Sequence, residues 1–177
     1  MTPPGVEYRP AVEITDDTLM SPEPSISIAP LRESEHARWL QLWSAYQRFY
    51  EIDLPAPVTE ATWERLRSGR IHGLGARDPN DELVGIVHYL FHEDTWSTVS
   101  ACYLQDLYVD PAARGAGCGR RLIEAVALAA NAAGANNPYW LTHESNHNAR
   151  LLYDRLARNL GFIQYAYEPP TITGRSL

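Results

Sequence analysis

Arg114-Gly115-Ala116-Gly117-Cys118-Gly119 stands between a run that reads as a strand and a run that reads as a helix. Leu104 to Val109 enters it in strand-like sequence, and Asp110-Pro111 ends that strand, because proline cannot donate to a ladder. A helix follows at once from Gly117 to Ala133. Leu122, Ile123, Val126, Ala130 and Ala133 share one face, and Gly134 suits the position just past its end. The start of a helix carries unpaired N–H groups and a partial positive charge. Glycines let that backbone approach an anion without intervening side chains. Successive amides from Gly115 through Ala116, Gly117, Cys118 and Gly119 can form an anion nest, with Arg114 and Arg120 adding charge beside it. The glycine spacing does not fit G-x-G-x-x-G, and no Gly-Lys-Ser/Thr follows, so neither dinucleotide fingerprint nor P-loop applies. A plain tight turn is the alternative.

Outward from this turn, the chain alternates short strands and helices. Met1 to Pro24 is rich in Pro, Thr, Asp and Glu and reads as a flexible arm, which leaves 25–177 as one domain. Ser25 to Leu31 reads as a strand, and Glu33 to Tyr50 as a helix with Trp39, Leu42, Trp43, Tyr46, Phe49 and Tyr50 on one broad face. That face is either core or, at its C-terminal end, the lining of a substrate pocket. Pro55 and Pro57 break the chain, and Thr59 can cap a short helix to Arg67. Ile71 to Arg77 and Glu82 to Phe91 form a hairpin around Asp78-Pro79-Asn80-Asp81, with Gly85 a bulge candidate. Ser100 to Val109 is a further strand. After the glycine turn and its helix come a short strand at Pro138–Thr142, a helix at Asn146–Asn159 ended by Gly161, and a last strand at Phe162–Tyr167. The tail from Pro169 reads as loose. The order β, α, α, β, β, β, α, β, α, β implies an α/β protein whose mixed sheet is flanked by helices.

Composition limits the function. The chain has 177 residues, 45% of them hydrophobic, and a formal net charge of −7. That argues against a nucleic-acid-binding surface, which is normally basic. No apolar run is long enough to span a membrane, and the N-terminus lacks a signal-peptide pattern, so a cytoplasmic protein is expected. Cys102 and Cys118 are too few for a disulfide framework. No metal site is expected.

Leu107-Tyr108-Val109-Asp110-Pro111-Ala112-Ala113-Arg114-Gly115-Ala116-Gly117-Cys118-Gly119 resembles the central motif of the GCN5-related N-acetyltransferase (GNAT) superfamily. That motif, Q/R-x-x-G-x-G/A, is matched by Arg114, Gly117 and Gly119. Downstream, Asn146, Ala149, Leu152 and Tyr153, followed by Gly161-Phe162, are similar to the superfamily's second cofactor segment. The resemblance spans Ser25 to Tyr167. It implies a mostly antiparallel sheet with a splayed central strand pair, and acetyl-CoA as acetyl donor. The pantetheine arm would lie in the splay against the backbone of Leu107, Tyr108 and Val109, whose unpaired groups can accept it as a sheet edge accepts a strand. A homodimer formed through the last strands is a further implication.

Acetylation of an amine needs a proton acceptor, because an alkylammonium has a pKa near ~10. It also needs donors for the developing oxyanion and a proton for the leaving thiolate. Tyr153 matches the superfamily's tyrosine at the CoA sulfur, and Asn146 matches a CoA contact that can also be an N-cap. The base is open. Tyr103-Leu104-Gln105-Asp106-Leu107 resembles the diamine acetyltransferase branch, but Gln105 stands where that branch carries Glu. Asp106 remains, although adjacent strand residues face opposite sides unless a bulge intervenes. Glu144 is the second candidate, and water chains ending at His88, His92 or Glu93 a third. Cys118 lies in the phosphate turn, away from the expected thioester, so direct attack by the amine is favoured over an acyl-cysteine. The segment His88 to Thr98 combines aromatics with acids and suits a cationic group. The long spacing from Tyr153 to Phe162 resembles a branch including fungal histone and D-amino-acid acetyltransferases. The expected acceptor is a primary amine: a polyamine, a lysine-like amine or an amino acid. The alternatives are lysine acetylation of proteins or peptides, and a non-catalytic CoA-binding module.

Overall fold

A computed structural model describes residues 26–167. The expected arm at 1–24 and the tail from Pro169 lie outside the described residues. The elements are β1 (Ser27–Pro30), α1 (His36–Phe49), α2 (Ala56–Arg67), β2 (His72–Arg77), β3 (Leu83–His92), β4 (Ala101–Val109), α3 (Cys118–Ala132) and α4 (His147–Leu156). The strands form one antiparallel sheet in the order β1-β2-β3-β4.

The sheet is covered on both faces, which explains why β3 reads as nearly continuous apolar sequence. On one face α3 packs Cys118, Leu122, Ile123, Val126 and Ala130 against Val84, Val87, Tyr89, Cys102 and Leu104. On the other, Trp39, Leu42 and Trp43 of α1 and Trp63 of α2 meet Leu83 and Ile86. Burying these apolar side chains supplies the main driving force, roughly 1.5–3 kcal/mol for each large one. Arg77, fully buried at the end of β2, is paired through both Nε and Nη2 with the Glu35 carboxylate at 2.6 and 2.7 Å. Burial pushes the Glu35 pKa up, but the hydrogen bonds from Arg77 and the Arg32 backbone and the charges of both arginines outweigh it. The carboxyl therefore stays below its usual range.

The structure departs from the sequence reading at several points. Helix α2 begins at Ala56 rather than at Thr59, with Pro57 in its first turn. Proline is tolerated there because the first helical N–H groups lack partners anyway. The β2–β3 bulge falls opposite Ala76 and Arg77, at Val84 next to the expected Gly85. Helix α4 stops at Leu156, where Ala157 turns extended, rather than running to Asn159.

The larger correction concerns the last two strands. Pro138–Thr142 makes a single parallel bridge, Tyr103 to Tyr139, with bonds Leu104 N to Tyr139 O and Tyr139 N to Cys102 O, each 3.0 Å. Phe162–Tyr167 forms no strand and is exposed. A strand needs a ladder to join, and a segment touching β4 at one bridge offers the last stretch none. The consequence is the splay. Beyond Leu104 the outer edge of β4 has no further pairing among the described residues, while its inner edge stays on β3 to Val109.

Candidate active site

The splay opens a cavity of about 570 Å³. Leu104, Gln105, Leu107, Tyr108 and Val109 of β4 form one wall, and Trp140 and Leu141 stand opposite. The glycine turn lies at one end, and Tyr46, Phe49 and Tyr50 of α1 also line it.

At the turn end, Gly115 and Gly117 have φ of +85° and +77°, conformations that L side chains rarely adopt. A Cβ on either would meet nothing within 4 Å, so the space beside both is open. Arg121 N makes the bond to Gly117 O that starts the helical ladder. The amides of Cys118, Gly119 and Arg120 ahead of it are those a helix start leaves without ladder partners. These features fit a phosphate group. Gly119 is constrained differently, since a Cβ there would come within 3.2 Å of Leu152 Cδ2 on α4, a tight approach that the leucine end must yield to. Arg114 is held by a bond from Nε to Val109 O at 3.1 Å, with its guanidinium 5.8 Å from the Tyr108 ring centre. Arg120 also lines the cavity and pairs loosely with Glu124 at 3.5 Å. Cys118 is 2% exposed, its thiol donating to Ala113 O and its pKa pushed up by burial, so it is no nucleophile.

Asn146 caps α4, its Oδ1 accepting from Ala149 N at 3.4 Å and its Nδ2 donating to Thr142 Oγ1 at 3.2 Å. It lines the cavity as well. Tyr153 projects from the same helix and meets Trp140 edge-on at 5.3 Å. Burial, then the nearby Tyr50, pushes its pKa up to about 12, so at neutral pH the phenol keeps its proton.

Asp106 is reached through a β-bulge. His88 pairs with Asp106 and Tyr89 with Leu104, so Gln105 is the extra residue on β4. The bulge turns Gln105 into the cavity and leaves Asp106 on the α1 side. There Asp106 Oδ2 accepts from His88 Nδ1 at 3.0 Å. Tyr46 bridges this carboxylate and the cavity. Its phenol is held protonated, first by burial and then by the nearby Asp106 charge. Tyr46, Tyr50 and Tyr153 all line the cavity and lie close enough to influence one another, with Asp106 near Tyr46.

Glu144 is not brought to this cluster: it is exposed, its carbonyl holds Arg150, and it does not line the cavity. His92 and Glu93 are also exposed and lie off the cavity, with His92 Nε2 on Tyr139 OH at 2.9 Å. Asn148 and Arg155 line the cavity but went unread in the sequence. The signal was available, because Asn148, Leu152 and Arg155 are spaced i, i+4, i+7 along one face of α4.

Among the described residues no three His, Cys, Asp or Glu side chains gather as a metal site, and no helix is long and apolar enough to cross a membrane.

Comparison with known proteins agrees with this geometry. The chain is 33% identical over 143 residues to the D-amino-acid N-acetyltransferase HPA3 of Saccharomyces cerevisiae, covering 79% of this chain and 89% of the yeast protein. Its fold matches a ribosomal-protein-alanine N-acetyltransferase from Brucella melitensis, with TM-score 0.70 and 21% identity, over 81% of this chain and 99% of the other. It also matches an aminoglycoside acetyltransferase from an uncultured soil metagenomic sample, with TM-score 0.64 and 20% identity, over 84% and 97% of the two chains. With residues 36–162 matching the acetyltransferase (GNAT) family, the chain belongs to that family and is an N-acetyltransferase.

Proposed function

We propose that this enzyme transfers the acetyl group of acetyl-CoA to the primary amine of a small acceptor, by direct attack within a ternary complex. The observation that carries this reading is one continuous cavity. It runs from a helix-start anion nest to three neighbouring tyrosines, with a carboxylate near Tyr46. Its length along the free edge of β4 suits the amides of pantetheine.

The roles follow from position. The glycine turn, Arg114 and Arg120 hold the pyrophosphate, and the backbone of Leu107, Tyr108 and Val109 holds the pantetheine arm. As the amine nitrogen bonds to the thioester carbon, Asp106 takes the amine proton through the Tyr46 hydroxyl. The C–S bond breaks, and Tyr153 supplies the proton or hydrogen bond that the thiolate needs.

Among acceptors, an amino acid is favoured over a polyamine. Apart from the arginines assigned to the pyrophosphate, the cavity lining holds Arg155 and the neutral Gln105 but no carboxylate, and the acid-bearing residues Glu93 and Asp94 do not line it. The name of the yeast relative points the same way. A panel of D- and L-amino acids, spermidine, putrescine and a basic peptide, each with acetyl-CoA and read by thiol release, tests the assignment. Turnover of none of them would overturn it, and turnover of the peptide alone would favour lysine acetylation in proteins. Tyr153→Phe should lower kcat about 10- to 100-fold, near the low end of general-acid effects. Its affinity for acetyl-CoA, followed by calorimetry, should stay near the wild-type value.

We further infer that the protein pairs with a second copy of itself through residues 160–167. Phe162 and Tyr165 there are 79% and 86% exposed, and Leu160, Ile163 and Tyr167 are exposed beside them. So many large apolar groups in one unpaired stretch mark an association site. Light scattering should give a dimer mass for the wild type and a monomer for Phe162→Asp/Tyr165→Asp. A monomeric wild type at tens of micromolar, roughly the range of a weak dimer, would remove the inference.

A further inference from the structure

Two polar side chains are buried in the described core, Arg77 and His88. Arg77 is satisfied by Glu35. His88 meets the Asp106 carboxylate on one side only, and burying an imidazole among tryptophans is costly unless both ring nitrogens are bonded. Both are. Trp39 Nε1 lies 3.0 Å from His88 Nε2. An indole nitrogen can only donate, so Nε2 is the bare nitrogen that accepts. The ring proton therefore sits on Nδ1, which donates to Asp106 Oδ2 at 3.0 Å. Trp39 cannot swing away from this bond. It is 0% exposed and packed against His36 at 6.0 Å, Trp43 at 5.9 Å and Trp63 at 4.9 Å between ring centres.

We propose that Trp39 and His88 form a positioning relay that fixes one tautomer of His88 and thereby aims the Asp106 carboxylate at Tyr46 and the cavity. This rests on the reading of Asp106 as proton acceptor. The need for a relay follows from the bulge at Gln105. It frees Asp106 from the strand's alternation, so its direction must be set by side chains. His88 holds Oδ2, and Oδ1 is left for the proton that this reading routes to Asp106. The groups facing His88 are Trp39 and Trp43 from α1 and Asp106 from β4, and Asp106 is the acidic one among them. With Nδ1 already protonated and Nε2 already bonded, His88 has no place for the substrate's proton. That proton stays on the Asp106 and Tyr46 side. His88 is thus a positioning residue and not a second base.

Histidine-labelled protein without ligand reads the tautomer directly from its ring 15N shifts. The expected form of His88 at pH 7.5 is Nδ1–H, and Trp39→Phe should give a mixture of tautomers. Kinetics with acetyl-CoA and the fastest acceptor of the panel supply the second readout. His88→Asn keeps a donor near the place of Nδ1 and should retain kcat within about tenfold, whereas His88→Leu should lose about 100-fold in kcat with little change in the acetyl-CoA KM. An Nε2–H tautomer in the wild type would overturn the relay, and this holds even where His88→Leu does not fold. Equal losses in the Asn and Leu variants would overturn it too. Full activity in Asp106→Asn would instead remove the reading on which the relay rests.

Discussion

Asp106→Asn should lower kcat by about 10²- to 10⁴-fold and leave the KM for acetyl-CoA within a factor of about two. The substitution is nearly isosteric. The amide oxygen can still accept from His88 Nδ1, so the Trp39–His88 arrangement and the β4 bulge should survive. What is lost is the ability to take a proton. An acceptor amine, with a pKa near ~10, is almost wholly protonated at neutral pH. Without a base, only the fraction already free can attack. The residual rate of the variant should therefore rise about tenfold per pH unit across the neutral range. Pre-steady-state mixing with acetyl-CoA separates this loss from slow product release. A variant with wild-type kcat would show that the proton leaves through solvent, and Asp106 would then be a structural acceptor for His88.

Much of this protein is legible in its sequence, and the parts that are not share a cause. The strand, glycine turn and helix around Gly117 are local, and local periodicity and turn chemistry describe them well. Gly134 past α3 and Asn146 before α4 are local signals too, and both hold. The misread features depend on partners distant in sequence. Pro138–Thr142 and Phe162–Tyr167 have strand-like composition, but a strand exists only where a second backbone offers a ladder. Asp106 and Gln105 could not be placed without knowing that β3 pairs with β4 out of step at this point. Glu144 and Asp106 look alike as isolated carboxylates, and only the fold separates an exposed loop residue from one packed between His88 and Tyr46. Gly119 is the mildest case. Its spacing suggests an anion contact, while the side chain it crowds, Leu152, lies far along the sequence on α4.

The glycine turn yields the second large effect, and its glycines can be tested against each other. Gly117→Ala should raise the Kd for CoA about 10- to 100-fold, equivalent to roughly 1.4–2.8 kcal/mol, and Gly134→Ala should leave it unchanged. The two positions are matched controls. Their φ values are +77° and +67°, and a Cβ at either meets no atom within 4 Å. Each alanine therefore stores similar backbone strain, about 1–2 kcal/mol, and each should lower Tm by a few degrees, about 2–4 °C per kcal/mol for a chain of this size. They differ in what occupies the open space. Beside Gly134, at the far end of α3, it faces away from the cavity. Beside Gly117 it lies where the first amides of α3 would meet a phosphate. A methyl group there holds the anion away from the N–H groups, and charge-assisted hydrogen bonds weaken steeply with such a displacement. If both variants lost CoA affinity equally, strain in α3 rather than contact would explain the effect. If neither did, the phosphate would have to bind elsewhere in the cavity, and the Arg114-to-Gly119 stretch would be only a turn.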